Sequence, residues 1–251
     1  MKLEEFTAIK NELVELVIDF EQTERRIVFL NYAYFLNFHD ELEQQRYLQY
    51  ENEYLIKAIA MAADGKTEAE IKEFLEQCRK EFEANIHNFE RQYQSAQEWD
   101  KQLENYSKED MEQNDQEFIE YCSTHHPLVK AYSSDLERTI YSSLIMLYRT
   151  GNVVGFKNLM KECRSNFTSS EISSEDYEKI AVFYKESIEH FNSIKEKRNM
   201  TFPLNKADIF NKEELTTREL MYLREKNYQA RDMNKSLQAD FKLHFSFEFS
   251  L

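Results

Sequence analysis

A chain of 251 residues with three glycines and two prolines is too poor in turn formers for an all-β or α/β fold, which leaves an all-α protein. Its 32 Lys and Arg against 47 Asp and Glu give a net charge of −15, a field that repels nucleic-acid backbones and anionic membrane surfaces. Hydrophobic residues at 41%, with 14% aromatic, can build a core, while 31% charged residues suit thin, elongated helical layers better than a sphere.

The amino terminus, MKLEEFTAIKNEL, lacks a basic region followed by an apolar core, and no stretch approaches the roughly 18 apolar residues of a membrane span. A soluble, cytoplasmic protein is expected, with neither nucleic acid nor membrane as partner. Phe6, Ile9, Leu13, Leu16, Phe20, Thr23, Ile27, Leu30 and Tyr34 alternate at spacings of three and four, the stripe of a long helix. The stripe resumes at Tyr47, Tyr50, Tyr54, Ala58, Ile59 and Ala62 and stops at ADGKTEAE. There Gly65 can take a left-handed cap, and Thr67 with Glu70 forms a capping box. A second helix carries Ile71, Leu75, Cys78, Phe82, Ile86, Phe89, Tyr93 and Ala96 to about residue 105, so residues 40 to 105 are predicted as an antiparallel, coiled-coil-like hairpin.

A short helix bearing Phe118, Ile119 and Cys122 must end near His125, because the residue before Pro127 avoids helical geometry. Ser134 and Glu137 then form a capping box for a helix with Leu136, Ile140, Leu144 and Leu147 on its apolar stripe. Gly151 closes that helix, and the next turns Val153, Phe156, Leu159, Met160 and Cys163 inward. After a Ser-rich linker, Ser173 with Asp176 caps a helix bearing Tyr177, Ile180, Phe183, Ile188, Phe191 and Ile194. The chain turns at Pro203, and Asn211 with Glu214 caps a last helix through Leu220, Leu223, Tyr228, Met233 and Leu237, which predicts a second hairpin. The organisation expected is residues 1–107 as long helices and a hairpin, 108–165 as a small helix-loop-helix unit, and 173–251 as a C-terminal hairpin. In the tail, Phe241, Leu243, Phe245, Phe247, Phe249 and Leu251 alternate with polar residues at a period of two. Either the final helix overruns and these rings pack on the hairpins, or the tail is a β-strand. As a strand, Phe245, Phe247 and Phe249 would pair with a second copy in a homodimer or add to a partner's sheet edge.

The stretch from His126-Pro127 through SSDLERTIYSSLIMLYRTGNVVGFKNL resembles the second half of a J-domain of the DnaJ type. In bacterial helical proteins that embed such a unit between coiled-coil arms, a His-Pro-Asp loop is followed by a capped helix ending in an AY-x-x-GD pattern. Tyr148, Gly151 and Asn152 stand at similar spacing here, with Phe156 and Leu159 at the following apolar positions. The resemblance extends to the preceding hairpin and to the TFPL break. It implies partner contacts through His126, Pro127, Leu128 and Lys130, with a DnaK-type chaperone as the family's partner. Leu136, Ile140, Leu144, Leu147, Tyr148, Gly151, Asn152 and Phe156 would form the unit's frame. The sequence departs from the family at Leu128, where the signature has Asp. It departs again in the preceding helix, where Glu109, Asp110, Glu112, Asp115, Glu117 and Glu120 face a single Lys108 in place of a basic surface. The expectation is therefore a non-enzymatic interaction scaffold with a degenerate J-domain-like unit, and an active co-chaperone as its alternative.

Other chemistries are thinly represented. Cys78, Cys122 and Cys163 are odd in number and sit in helical patterns, which suits reduced, buried thiols. Cys122 with His125 and His126 has metal-like spacing, but no second pair completes four ligands, so a metal or redox protein is the remotest reading. Glu83 with His87 and Glu186 with His190 are i, i+4 pairs of the surface kind, and the E-x-x-H spacing of di-iron proteins is absent. No G-x-S-x-G, phosphate-cradling glycine loop or cysteine with a local base is present, so neither a catalytic residue nor a cofactor is expected.

Overall fold

The computed structural model describes residues 1–130, 133–167 and 172–249. It is all-α, and among these residues there is no strand. The α-helices are α1 (Leu3–Ala63), α2 (Glu68–Leu103), α3 (Lys108–His125), α4 (Asp135–Arg149), α5 (Val153–Cys163), α6 (Tyr177–Asn199) and α7 (Glu213–His244). Short 3₁₀ segments lie at Arg164–Asn166 and Leu204–Asn211. Helical geometry lapses once inside α1, at Phe38 (φ −123°, ψ 16°). No helix of the described residues is long and apolar enough to cross a membrane.

Local signals set most helix ends. Gly65 has φ +78° after α1, and the amide of Thr67 donates to Glu70 while Thr67 Oγ1 accepts from the Glu70 amide. Ser107 with Asp110 and Ser134 with Glu137 close reciprocal boxes at α3 and α4, each worth about 1 kcal/mol. Gly151 (φ +70°) ends α4, and Asn152 Oδ1 takes the Gly155 amide at 2.8 Å to start α5. At two starts the side-chain caps expected from sequence are not formed. Asp176 and Lys212 occupy the N-cap positions of α6 and α7 without a side-chain cap bond, and Asn211 donates to Asp208 instead of capping α7.

The chain folds into two compact units, each built from segments distant in sequence: residues 1–32 with 98–207, and residues 33–97 with 208–251. Long helices recruit partners far along the chain, so these units cut across the contiguous blocks 1–107, 108–165 and 173–251.

In the first unit, α3, α4 and α5 enclose Phe118, Tyr121, Cys122, Ile140, Leu144, Ile145, Tyr148 and Phe156. Phe118 stacks on Tyr148 with ring centres 3.6 Å apart, and the Arg25 guanidinium lies 4.7 Å from the Tyr148 ring while pairing with Asp115. Beside this cluster, Phe6, Leu13 and Val17 of α1 pack with Ile180, Ala181, Tyr184 and Ile188 of α6. Phe6 meets Tyr177 and Tyr184, Phe20 meets Phe191, and Asp19 and Glu24 pair with Lys195 and Arg198. Both sets of numbers rise together, so α6 runs parallel to this part of α1.

In the second unit, α1 and α2 pair antiparallel, as expected of the hairpin: Phe35 meets Phe89, Tyr47 meets Phe82, and Tyr54 joins Cys78. Helix α7 lies parallel to α1. Tyr34 donates to Glu219 at 2.6 Å, Asn227 to the Glu41 carbonyl at 2.9 Å, Asn52 to the Ala230 carbonyl at 3.0 Å, and Asn234 to Asn52 at 2.9 Å. The C-terminal hairpin read from the sequence is therefore not one element: α6 belongs to the first unit and α7 to the second. A break at Pro203 followed by a helix is a hairpin's local signature, yet each helix buries its stripe against α1.

The tail also resolves one way. Helix α7 overruns to His244, and Phe245, Phe247 and Phe249 fold around buried Phe241 with ring centres 4.3, 5.4 and 5.8 Å from it. Lys72 sits over the Phe247 ring, and Ser246 donates to Glu68. Ser250 and Leu251, the end of the alternating pattern, lie outside the described residues. The rings alternate, but the surface they cover is their own unit's core.

Candidate functional site: the His126–Pro127 loop

Pro127 stops α3, because the residue before a proline is driven out of the helical region; His126 takes φ −58°, ψ 132°. The loop then curls back on itself. The His126 carbonyl accepts the amides of Val129 (2.9 Å) and Lys130 (2.8 Å), while His126 Nδ1 accepts the Leu128 amide at 3.1 Å. Since Nδ1 accepts, the ring proton belongs to Nε2, which donates to Tyr141 Oη at 2.7 Å. Tyr141 in turn donates to Glu21 at 2.9 Å, and Arg149 closes the chain on Glu21 through Nε at 2.8 Å and Nη2 at 2.5 Å. A single directed hydrogen-bond chain thus runs from the loop through α4 to α1.

This arrangement fixes protonation. Burial, and next the Arg149 charge, push the His126 imidazole down to about 3, so it is neutral at physiological pH. Burial and the Glu21 charge raise the Tyr141 phenol, which stays protonated. Four residues on, Lys130 is buried in an ion pair with Glu137. The same Glu137 carboxylate receives the Ser134 amide (2.9 Å) and hydroxyl (3.1 Å), so the cap of α4 and the anchor of the loop share one group. Tyr184 of α6 adds a bond to the Val129 carbonyl at 2.6 Å. Ala131 and Tyr132 fall outside the described residues.

Of the residues singled out for partner contact, His126 and Lys130 point inward at 4% and 5% exposure, while Pro127 and Leu128 are half-buried at the surface. Phe245, Phe247 and Phe249 belong to the second unit and pack as described above. Among the frame residues, Ile140, Leu144, Tyr148 and Phe156 are buried and Leu147 packs against them. Leu136 is 56% exposed, which corrects its place on the inward stripe. Glu137 takes the inward position in the first turn because it must meet Lys130, and the buried face runs on through Ile140, Leu144 and Tyr148. Gly151 is held tightly: a Cβ there would lie 2.9 Å from Phe29 and 3.0 Å from Leu103, and Trp99 Nε1 donates to the neighbouring Thr150 carbonyl at 2.9 Å.

Glu21, Tyr141, Arg149 and Tyr184 were not singled out from the sequence. One signal existed for Glu21: the i, i+4 series Leu13, Val17 extends to Glu21 and Arg25, charges of opposite sign at positions that are buried. The metal-like trio diverges. Cys122 lies in the α3–α4–α5 core, its thiol pushed up by burial; His126 reaches Tyr141, and His125 stacks on Phe167 at 4.9 Å. Among the described residues no three His, Cys, Asp or Glu side chains form a metal-sized cluster. Glu83 and His87 are exposed and pair with Arg79 and Glu90, not with each other. No protein-family model matches the chain, nor does any curated protein or solved structure.

Proposed function

We propose that the chain is a non-catalytic interaction protein, a coiled-coil adaptor in which α3, the His126–Pro127 loop, α4 and α5 form a degenerate J-domain-like unit that meets a protein partner. The observation that carries this reading is the loop itself. Its backbone is held by its own turn bonds and by Tyr184 of α6, its two titratable side chains are committed inside to Tyr141 and Glu137 of α4, and it offers Pro127 and Leu128 outward. A rigid loop with an apolar tip suits recognition: little conformational entropy is lost on docking. The neutral, internally bonded His126 and the carboxylates along α3 favour this adaptor over stimulation of a DnaK-type chaperone.

The test is ATP turnover by a DnaK-type chaperone with and without the protein. We expect no acceleration by the wild type, and none by Leu128→Asp, since the carboxylates of α3 remain. Clear stimulation by the wild type would establish the co-chaperone alternative instead. A pull-down from lysate of the source organism, comparing wild type with Leu128→Asp, should lose the partner's band in the variant.

A further inference from the structure

Beside the loop, the first unit contains a cleft of about 560 Å³ lined by α3 up to His125, α5 and the 3₁₀ turn after it. Pockets of roughly 300–1,000 Å³ suit small organic ligands. Its wall along α5 and the 3₁₀ turn carries Lys157, Lys161 and Arg164, at i, i+4 and i+7, with Met160 among them. Like charges stacked this way oppose one another on a helix. Lys157 is held by Gln113 at 3.0 Å, whereas Lys161 and Arg164 form no ion pair among the described residues. The facing α3 wall carries Glu117 and Glu120, and no ion pair among the described residues bridges the cleft.

The rings lining it supply the second observation. Tyr121 is 2% exposed, and its hydroxyl has no hydrogen-bond partner; His125 Nδ1 is likewise buried and unpartnered. Both residues line the cleft, with the Phe167 ring 5.1 Å from Tyr121 and stacked on His125. A buried hydroxyl left without an acceptor is destabilising, and such groups in folded proteins are generally met by a partner, water or a ligand. Burial raises the Tyr121 phenol, so it remains a donor.

We infer that this cleft binds a small organic oxyanion, a carboxylate or phosphate ester, whose charged end lies at Lys161 and Arg164 and accepts from the Tyr121 hydroxyl. The ligand's apolar body rests against Met160 and the Phe167–His125 stack. Glu117 and Glu120 confine the anion to the α5 side. Neither Pro127 nor Leu128 lines this site, so its failure would leave the proposed function standing.

Calorimetric titration of the full-length protein, supported by NMR, tests it with benzoate, phenyl phosphate and benzylamine as probes. We expect saturable binding of the two anions, shifts of the Tyr121 and His125 resonances, and no binding of benzylamine. Tyr121→Phe and Arg164→Gln should each weaken anion binding about tenfold, as loss of one charge-assisted hydrogen bond does. Tyr121→Phe should leave Tm unchanged or higher, since it removes a hydroxyl without a partner. The inference is overturned if neither anion saturates, if benzylamine binds as well as benzoate, or if Tyr121→Phe binds both anions with unchanged affinity.

Discussion

Acidification should unfasten the loop through His126, and the size of the effect follows from its burial. Its imidazole stands at about 3 in the folded protein against an ordinary 6.5. A base whose folded value is depressed stabilises the fold fully above the unfolded value, and this contribution is lost as pH falls below it. Between about pH 7.5 and about pH 5 the loss is roughly 2 kcal/mol, and it hardly depends on whether the folded value is 2 or 4, because the unfolded value governs that window. His126→Asn keeps an acceptor for the Leu128 amide but cannot titrate. The stability advantage of wild type over this variant, from urea unfolding followed by circular dichroism, should therefore shrink by about 2 kcal/mol over the same interval. The difference between the two proteins cancels the other groups. His125 shifts in the same direction, Glu68, Glu70, Asp110 and Glu178 titrate at lower pH, and Glu51 acts in the opposite sense. An advantage that stays constant with pH, or a folded His126 resonance titrating near its ordinary value, would refute the buried hydrogen-bond chain.

Leu144→Ala removes a side chain with no exposure and should cost about 2–5 kcal/mol, whereas Leu136→Ala, on an exposed side chain of the same helix, should stay within about 0.5 kcal/mol by chemical denaturation. Gly65→Ala and Gly151→Ala both impose a left-handed residue at about 1–2 kcal/mol. Only the second also drives a Cβ against Phe29 and Leu103, so it should give clearly the lower Tm of the two. Truncation after His244 deletes three half-buried rings around Phe241 and should lower stability by about 3 kcal/mol, with the loss of protection in hydrogen exchange confined to the ends of α1, α2 and α7.

What the sequence disclosed were features settled within a few residues. The boxes Thr67–Glu70 and Ser134–Glu137, the left-handed Gly65 and Gly151, and the stop at Pro127 each depend on groups three or four positions apart, and all stand as read. Partnership between distant segments was not legible. Helices α6 and α7 carry stripes that fit each other as well as they fit α1, and nothing local distinguishes the two arrangements. Buried charge was not legible for the same reason. Glu21, Arg25, Lys130 and Glu137 are buried because their counterparts arrive from elsewhere in the chain, as Arg149 and Asp115 do, or across a loop. The tail's alternation was correctly spaced, but period alone does not say whether the apolar side meets a neighbouring chain or its own core.

The polar contacts between α1 and α7 have uneven intervals. Along α1 they fall at Tyr34, Glu41 and Asn52; along α7 at Glu219, Asn227 and Asn234. Sliding α7 by seven residues, about 10.5 Å, would still bring one asparagine opposite Asn52. It would also strand the second asparagine among aliphatic side chains and separate the Tyr34 hydroxyl from Glu219, leaving buried donors and acceptors unmet. A purely leucine seam would tolerate such a slip at little cost. Here the two helices have one alignment in which Tyr34, Asn52, Asn227 and Asn234 all donate across the seam, so it behaves as a vernier whose marks coincide at a single setting.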